Sequence, residues 1–278
     1  MSERADAHIH LFEGGFAGSF AGRPGVRLDE PACYASLAGD YGVSRALVVG
    51  YAGQPWCAGN NAWIARQAKS YDWVRPVAYV DPRQPPRIEE LERWRGEGFV
   101  GISLYVFDAE GREALQRLPS AFWSWLEERR WLISVNSQGD NWAAWPPILQ
   151  RHGELCLLVS HLGLPPKASQ PPGKPQAEEA LKPVLALASF PGPRVKLSGF
   201  YALTEPGYDY PHTAAWPYVE ALLAAFGAQR LLWASDFSPC LNYLTFPQTL
   251  GLFAHMPFLD EAQGRAIEGE NLLGLLGS

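Results

Sequence analysis

The chain of 278 residues is 47% hydrophobic and 19% charged, which is enough for a sizeable core in one large domain or two ordinary ones. Its formal net charge of −6, from 29 acidic against 23 basic residues with no basic cluster, offers no electrostatic footprint for nucleic acid. No apolar stretch is long enough to span a bilayer, and Ser2-Glu3-Arg4 runs straight into the first apolar run, so a cytoplasmic protein with neither membrane partner nor signal peptide is expected.

Apolar runs of strand length recur along the chain. They are Ala5 to Leu11, Ala46 to Val49, Val74 to Val80, Phe99 to Tyr105, Trp131 to Asn136, Leu155 to Ser160, Arg194 to Ser198 and Arg230 to Ser235. Runs so nearly continuous suit parallel strands buried on both faces, which need long crossovers between them. Helical patterning supplies the crossovers: Asp29 to Tyr41, Asn61 to Ser70, Arg87 to Arg95, Arg112 to Arg130, Trp142 to His152, Ala177 to Phe190, His212 to Phe226 and Asp260 to Leu276. Pro119 and Pro147 interrupt two of these helices. Eight strands alternating with eight helices predict an α/β fold, a single (β/α)8 TIM barrel over residues 1–278. A doubly wound sheet is the alternative, but no glycine-rich phosphate loop follows the first strand. The long irregular stretches, Gly14 to Leu28, Leu162 to Gln176 and Tyr201 to Pro211, all follow strand ends, the face on which barrels build active sites.

The first run carries His8 and His10 at i and i+2. An extended strand alternates its side chains, so the two imidazoles are expected on one face with Ala7, Ile9 and Leu11 on the other. Paired imidazoles suit metal binding or proton transfer; a surface strand with two solvated histidines is the plainer reading. Asn136 closes the fifth run, His161 follows Leu157-Leu158-Val159-Ser160, and Asp236 follows Leu231-Leu232-Trp233-Ala234-Ser235. Alone, each reads as a capping or turn residue, but in a closed barrel all of them converge on the mouth that holds His8 and His10. The cysteines Cys33, Cys57, Cys156 and Cys240 are dispersed and suggest neither a disulfide framework nor a cysteine metal site.

Several pieces of the chain together resemble the amidohydrolase superfamily, and within it the amidohydrolase-2 branch of metal-dependent hydrolases, decarboxylases and lactonases. They are Asp6-Ala7-His8-Ile9-His10-Leu11-Phe12, Val159-Ser160-His161-Leu162-Gly163, Val195-Lys196-Leu197-Ser198-Gly199 and Trp233-Ala234-Ser235-Asp236-Phe237-Ser238-Pro239, with Ile267 to Leu276 resembling the branch's closing helix. The resemblance implies that His8, His10, His161 and Asp236 are catalytic and form the ligand set for a divalent metal, zinc by preference. Where many members carry a strand-five histidine this chain reads Asn136, a poor zinc ligand. That departure resembles the lactonases of the branch that work without a metal, and implies a hydrolase in which Asp236 activates water to open a cyclic ester while the histidines polarise the carbonyl, with the metal optional.

The partner expected is a small-molecule substrate. Asn136, Gln138, Tyr51, Tyr105, Ser198 and Tyr201 are its candidate binding residues, with Tyr79, Lys196 and His212 behind them and Lys196 alternatively a structural residue of the barrel interior. Arg23 and Arg27 are the main cations expected at the mouth, and the loop aromatics Phe16, Phe20, Trp56, Trp142, Tyr208 and Tyr210 suit a sugar-like or apolar ring. Most of the tryptophans are expected to pack between helices and barrel. Two further readings follow from the same residues: metal-dependent decarboxylation of an aromatic or unsaturated acid, and a non-catalytic barrel that binds a small molecule. Oligomeric state is not legible.

Overall fold

The computed structural model describes residues 3–16 and 29–277. Its eight strands are β1 (Arg4–Ile9), β2 (Val43–Val49), β3 (Val74–Val80), β4 (Gly101–Val106), β5 (Leu132–Ser137), β6 (Cys156–Val159), β7 (Arg194–Leu197) and β8 (Leu231–Trp233). They pair in parallel in sequence order, and β8 returns to β1 through a bridge between Ile9 and Phe237. At that seam the Asp236 amide donates to the His8 carbonyl at 2.9 Å and the His10 amide donates to the carbonyl of Phe237. The fold is the (β/α)8 barrel that the alternation predicts. No helix among the described residues is long and apolar enough to cross a membrane.

The helices are α1 (Glu30–Tyr41), α2 (Asn60–Ser70), α3 (Ile88–Gly96), α4 (Ala109–Arg117), α5 (Ser120–Glu128), α6 (Pro146–Leu149), α7 (Lys174–Leu185), α8 (Phe200–Leu203), α9 (Trp216–Phe226), α10 (Phe246–Gly251), α11 (Glu261–Arg265) and α12 (Asn271–Leu276). Where one helix is predicted over Arg112 to Arg130 there are two, because Pro119 lacks an amide hydrogen and stands immediately before α5. The predicted helix Trp142 to His152 reduces to a 3-10 stretch over Gly139–Ala144 and the short turn of α6, with Pro146 at its start. His212 has φ of 59°, so α9 begins only at Trp216, after a single 3-10 turn. The closing helix is broken by a π turn over Ala266–Glu270, which brings Gly269 against the backbone of Glu3 and Arg4. Neither α8 nor α10 is legible as a helix in the sequence, since each is one or two turns long.

Two apolar layers surround the strands. Inside the barrel, Ala5, Ala7, Leu47, Val49, Val77, Leu132, Leu158, Leu232 and Ala234 form a plug that Leu272 of α12 joins. Outside, Ile9, Val48, Ile102, Ile133, Leu157, Val195 and Trp233 pack against the helices. Trp123, Trp142, Trp145 and Trp233 are among the largest fully buried side chains, as expected of tryptophans between helices and barrel, whereas Trp56 is exposed. The cysteines are all free.

Strand β1 departs from simple alternation. Ala5 and Ala7 belong to the inner layer, yet Ile9 and Leu11 belong to the outer one, and the pairing with β2 shifts register between Asp6 and Ile9. A bulge there lets Ala7 and His8 both face inward. The expectation that Ala7 shares a face with Ile9 is therefore corrected. Asp6 is turned away from the interior and accepts from Tyr34 Oη of α1 at 3.0 Å.

Candidate active site

The inner apolar plug gives way above to a polar layer: Ser103, Ser134, Lys196, His8, Ser160 and Ser198, all buried. Ser103, Ser134 and Lys196 stand at strand positions that alternation turns inward, Ser160 and Ser198 directly follow β6 and β7, and His8 is turned inward by the β1 bulge. Lys196 of β7 is wholly enclosed, with Nζ 2.7 Å from Ser134 Oγ and 3.2 Å from His8 Nδ1. Burial depresses its amine to about 7, against the pull of Asp6 and Asp236.

At the mouth, His8 Nε2 lies 3.0 Å from His10 Nε2 and 3.9 Å from Asp236 Oδ1. The His161 ring is tilted against that of His8 with centroids 4.8 Å apart, and its Nδ1 lies 2.9 Å from Ser198 Oγ. Three turns of the chain are needed for this convergence. The β1 bulge aims His8; His161 and Asp236, at φ of 52° and 59°, leave their strands through the left-handed region, which non-glycine residues adopt at a cost of about 1 kcal/mol or more. Gly199, at φ of 66°, follows β7 where a Cβ would come within 2.7 Å of His161 Nδ1. We expect Gly199→Ala to displace the His161 ring and destabilise the fold by about 1–2 kcal/mol; thermal unfolding and a shifted His161 resonance would show it, and an unmoved ring would refute the packing argument.

The site's charges are shaped chiefly by desolvation. Burial raises Asp236 to about 6, although His10, the Tyr201 hydrogen bond and Lys196 all act in the opposite sense. Burial lowers His161 to about 3, with Lys196 adding to the effect, and lowers both His8 and His10. The three imidazoles are therefore neutral at neutral pH, and the carboxylate is ionised there but remains basic. Tyr201 Oη donates to Asp236 Oδ2 at 2.5 Å, and its ring stacks on Tyr243 at 4.8 Å.

His8, His161 and Asp236 offer ligand atoms within 4.8 Å of one another, two nitrogens and a carboxylate oxygen, which are donor types that zinc takes. His10 joins through His8, with Nδ1 turned to the Val49 carbonyl oxygen at 2.8 Å. Among the predicted binding residues, Ser198 and Tyr201 support His161 and Asp236 directly. Tyr105 and Asn136 are paired across β4 and β5, and neither the phenol hydroxyl nor Asn136 Oδ1, both buried, has a partner in hydrogen-bond geometry, although the amide lies near enough to the phenol to offset slightly the rise that burial causes in it. Tyr51, Tyr79 and Tyr105 form a ring cluster with centroids 4.7 to 5.9 Å apart. Gln138 is exposed and lines a separate hollow of about 590 Å³ with Asn141, Leu164, Lys167 and Leu203. His212 is buried with Nδ1 2.7 Å from Thr204 Oγ1 and Nε2 unpartnered. Trp142 is a core residue that donates to the Gly163 carbonyl at 2.9 Å, Phe16 packs on Phe12 and Trp56, Tyr208 is exposed, and Tyr210 meets the His255 ring. Phe20, Arg23 and Arg27 lie outside the described residues.

Sequence reasoning passed over Asp6, Glu30 and Ser160. Asp6 accepts from the His8 and Ser235 amides at 3.1 and 3.0 Å, and Glu30 accepts from the Phe12 and Phe16 amides at 2.8 Å each and from Ser238 Oγ at 2.5 Å. Both carboxylates are buried, and the signal available for Asp6 was a lone acid inside an apolar run.

Strand ends that bring three histidines, a lysine and a carboxylate together at the mouth of the barrel form the face on which (β/α)8 enzymes build their active sites. The chain belongs to the amidohydrolase family, amidohydrolase-2 type, whose profile matches residues 5–276. A segment is 35% identical over 88 residues to the L-fucono-1,5-lactonase of Burkholderia ambifaria, a match that takes in 32% of this chain and only 28% of the relative's length. Among solved structures, an amidohydrolase from Burkholderia multivorans with bound zinc superposes with a TM-score of 0.77 at 20% identity, covering 99% of both chains. A probable 2-pyrone-4,6-dicarboxylic acid hydrolase from Acinetobacter baumannii, with citric acid bound, does so with a TM-score of 0.75 at 17% identity over 99% of this chain and 100% of that one.

Proposed function

We propose that the protein hydrolyses a cyclic ester, with Asp236 as the base that activates water. The observation that carries this reading is the state of Asp236: a buried carboxylate, held by the Tyr201 hydroxyl and facing His8, with its basicity raised to about 6. Such a group is ionised near neutral pH yet still able to take a proton, which is what a general base requires. Water gives its proton to Asp236 as its oxygen bonds to the lactone carbonyl carbon. The carbonyl oxygen, gaining charge, is received by N–H groups of the neutral His8 and His161 rings, His10 having its own N–H on the Val49 carbonyl; the ring C–O bond then breaks and the leaving alkoxide takes up the proton held at the site. A lactone is an activated ester, so base and donors suffice for it. A divalent ion held by His8, His161 and Asp236 would supply Lewis-acid polarisation and lower the pKa of bound water. The similarity to an L-fucono-1,5-lactonase supports sugar lactones as the first substrates to try.

The test is acid release from a panel of sugar 1,5-lactones and unsaturated dicarboxylate lactones, with and without a chelator. Turnover on the panel is the expected result. Release of carbon dioxide from aromatic or unsaturated acids in its place would establish decarboxylation, and silence on both would establish a binding protein. Because the base must be ionised, kcat/KM is expected to rise with pH through about 6 and then level off. A profile that instead falls across that interval would exclude Asp236 as base.

A further inference from the structure

The mouth of the barrel has two unlike halves. Asp236 follows β8 and His8 lies on β1, and β4 and β5 stand diametrically across the barrel from those two strands. On that far side Ser103 pairs with Ser134 and, two residues on, Tyr105 pairs with Asn136. Ser134 Oγ meets Lys196 Nζ inside the barrel at 2.7 Å, so the period of two along a strand turns Tyr105 and Asn136 inward as well, one layer nearer the mouth. Tyr51 and Tyr79 crowd the Tyr105 ring, with centroids 4.7 and 5.9 Å from it.

Tyr105 and Asn136 carry polar atoms that the protein itself does not use. The Tyr105 hydroxyl and Asn136 Oδ1 are both buried, and neither has a hydrogen-bond partner among the described residues, although folded proteins leave few such groups unpaired. The phenol has a hydrogen to give, and the amide oxygen can only accept. Turning the amide over, close as it lies to the phenol, gives the phenol a partner but sets an N–H where Oδ1 stood, so one polar atom is left over in either arrangement. A hydroxyl, which both gives and takes, meets the pair either way. Neither residue is charged, so an ionised carboxylate set there would lose its water without gaining a counter-charge. Arg83, near Tyr79, is already held by both oxygens of Asp108 at 2.7 and 2.8 Å.

We propose that Tyr105 and Asn136 determine specificity by binding together one hydroxyl on the far side of the substrate ring, so that the protein takes uncharged, polyhydroxylated lactones in preference to dicarboxylate ones. The proposal rests on the lactone reading above. A small eight-stranded barrel has room between its walls for one small ring. With the carbonyl carbon of a 1,5-lactone beside Asp236 and His8, the ring carbons that face β4 and β5 are C3 and C4.

The experiment compares kcat/KM on the sugar 1,5-lactone most readily opened with that on its 2-deoxy, 3-deoxy and 4-deoxy forms, for the full chain as wild type, Tyr105→Phe and Asn136→Leu. Phenylalanine removes only the hydroxyl, and leucine keeps the size of the amide without its polar atoms. The ratio of hydroxylated to deoxy substrate is the readout, because the intrinsic reactivity of each lactone is the same for every variant and cancels between them. At C3 or at C4 that ratio is expected to fall at least about tenfold in both variants, as a lost hydrogen bond to buried groups requires, while the ratio at C2 stays as in wild type. Ratios at C3 and C4 that both variants share with wild type, or a fall as large at C2, overturn the proposal. Should one variant not fold, the other decides. The corresponding 1,5-lactams, in which an amide replaces the ester, are titrated by calorimetry in parallel. If no lactone is opened but the lactam binds wild type with the same preference and the variants lose it, the lactone reading alone is refuted. Lactones opened without that preference refute this proposal alone, and neither turnover nor lactam binding refutes both.

Discussion

Replacing Asp236 with Asn is expected to lower turnover of a responsive lactone by about a thousandfold, within the range that loss of a positioned base produces. The amide matches the carboxylate in size and keeps an oxygen for the Tyr201 hydroxyl, now 2.5 Å from Oδ2, so the loss is to fall on kcat with KM little changed. The same change should make the protein more stable at neutral pH. Folding raises Asp236 from an ordinary 3.8 to about 6, so the folded state holds a proton that the unfolded chain has already released between those pH values. Stability is accordingly lost as pH rises from about 4 to about 6, and an asparagine, which never ionises, escapes a penalty of the order of 3 kcal/mol. Initial rates and urea unfolding at pH 7 check both halves. A variant that is both active and no more stable would show that Asp236 is neither the base nor a strained buried charge. Tyr201→Phe, which removes only the hydroxyl, is a milder change to the same base.

The second large effect belongs to the seam of the barrel. Asp6→Ala is expected to cost about 3–4 kcal/mol of stability, because it strips partners from the His8 and Ser235 amides and the Tyr34 hydroxyl at once, and each buried group left unpaired costs about 1–3 kcal/mol. Relief of the buried carboxyl itself, raised to about 6, offsets part of the sum. Asp6→Asn keeps an acceptor for the two amides and should cost less. The same bonds tie β1 to the segment carrying Asp236, so activity is expected to fall even where Asp6→Ala is folded. An alanine variant within 1 kcal/mol of wild type in urea would contradict this account of barrel closure.

Much of this architecture is written locally. Each parallel strand is an aliphatic run bounded by polar residues, and the runs over Val74 to Val80 and Arg194 to Ser198 lie within a residue of β3 and β7. Helices with a proline inside were the poorest reading, since a proline constrains the turn before it and can equally end, kink or begin a helix. His8, His10, His161 and Asp236 were legible because each is a polar residue at the end of an apolar run, and the structure brings all four together. Gln138, a candidate binding residue two places beyond the end of the fifth run, lies apart in an exposed hollow, since the chain past Ser137 turns outward into a 3-10 stretch.

The sequence by itself determined the number of strands, their order, the face on which polar residues gather, and the family. The first three follow from periodicity along one chain, and the family from motifs that resemble those of its members. Only the tertiary structure decided which groups meet. The β1 bulge turns Ala7 and His8 to the same side with no mark in composition. Tyr201 reaches Asp236 from the short helix α8, and Lys196 stands behind His8 from a strand 188 residues away. Such pairings depend on strand register and on closure of the barrel, which sum over every strand between the partners, and so no local stretch of sequence can specify them.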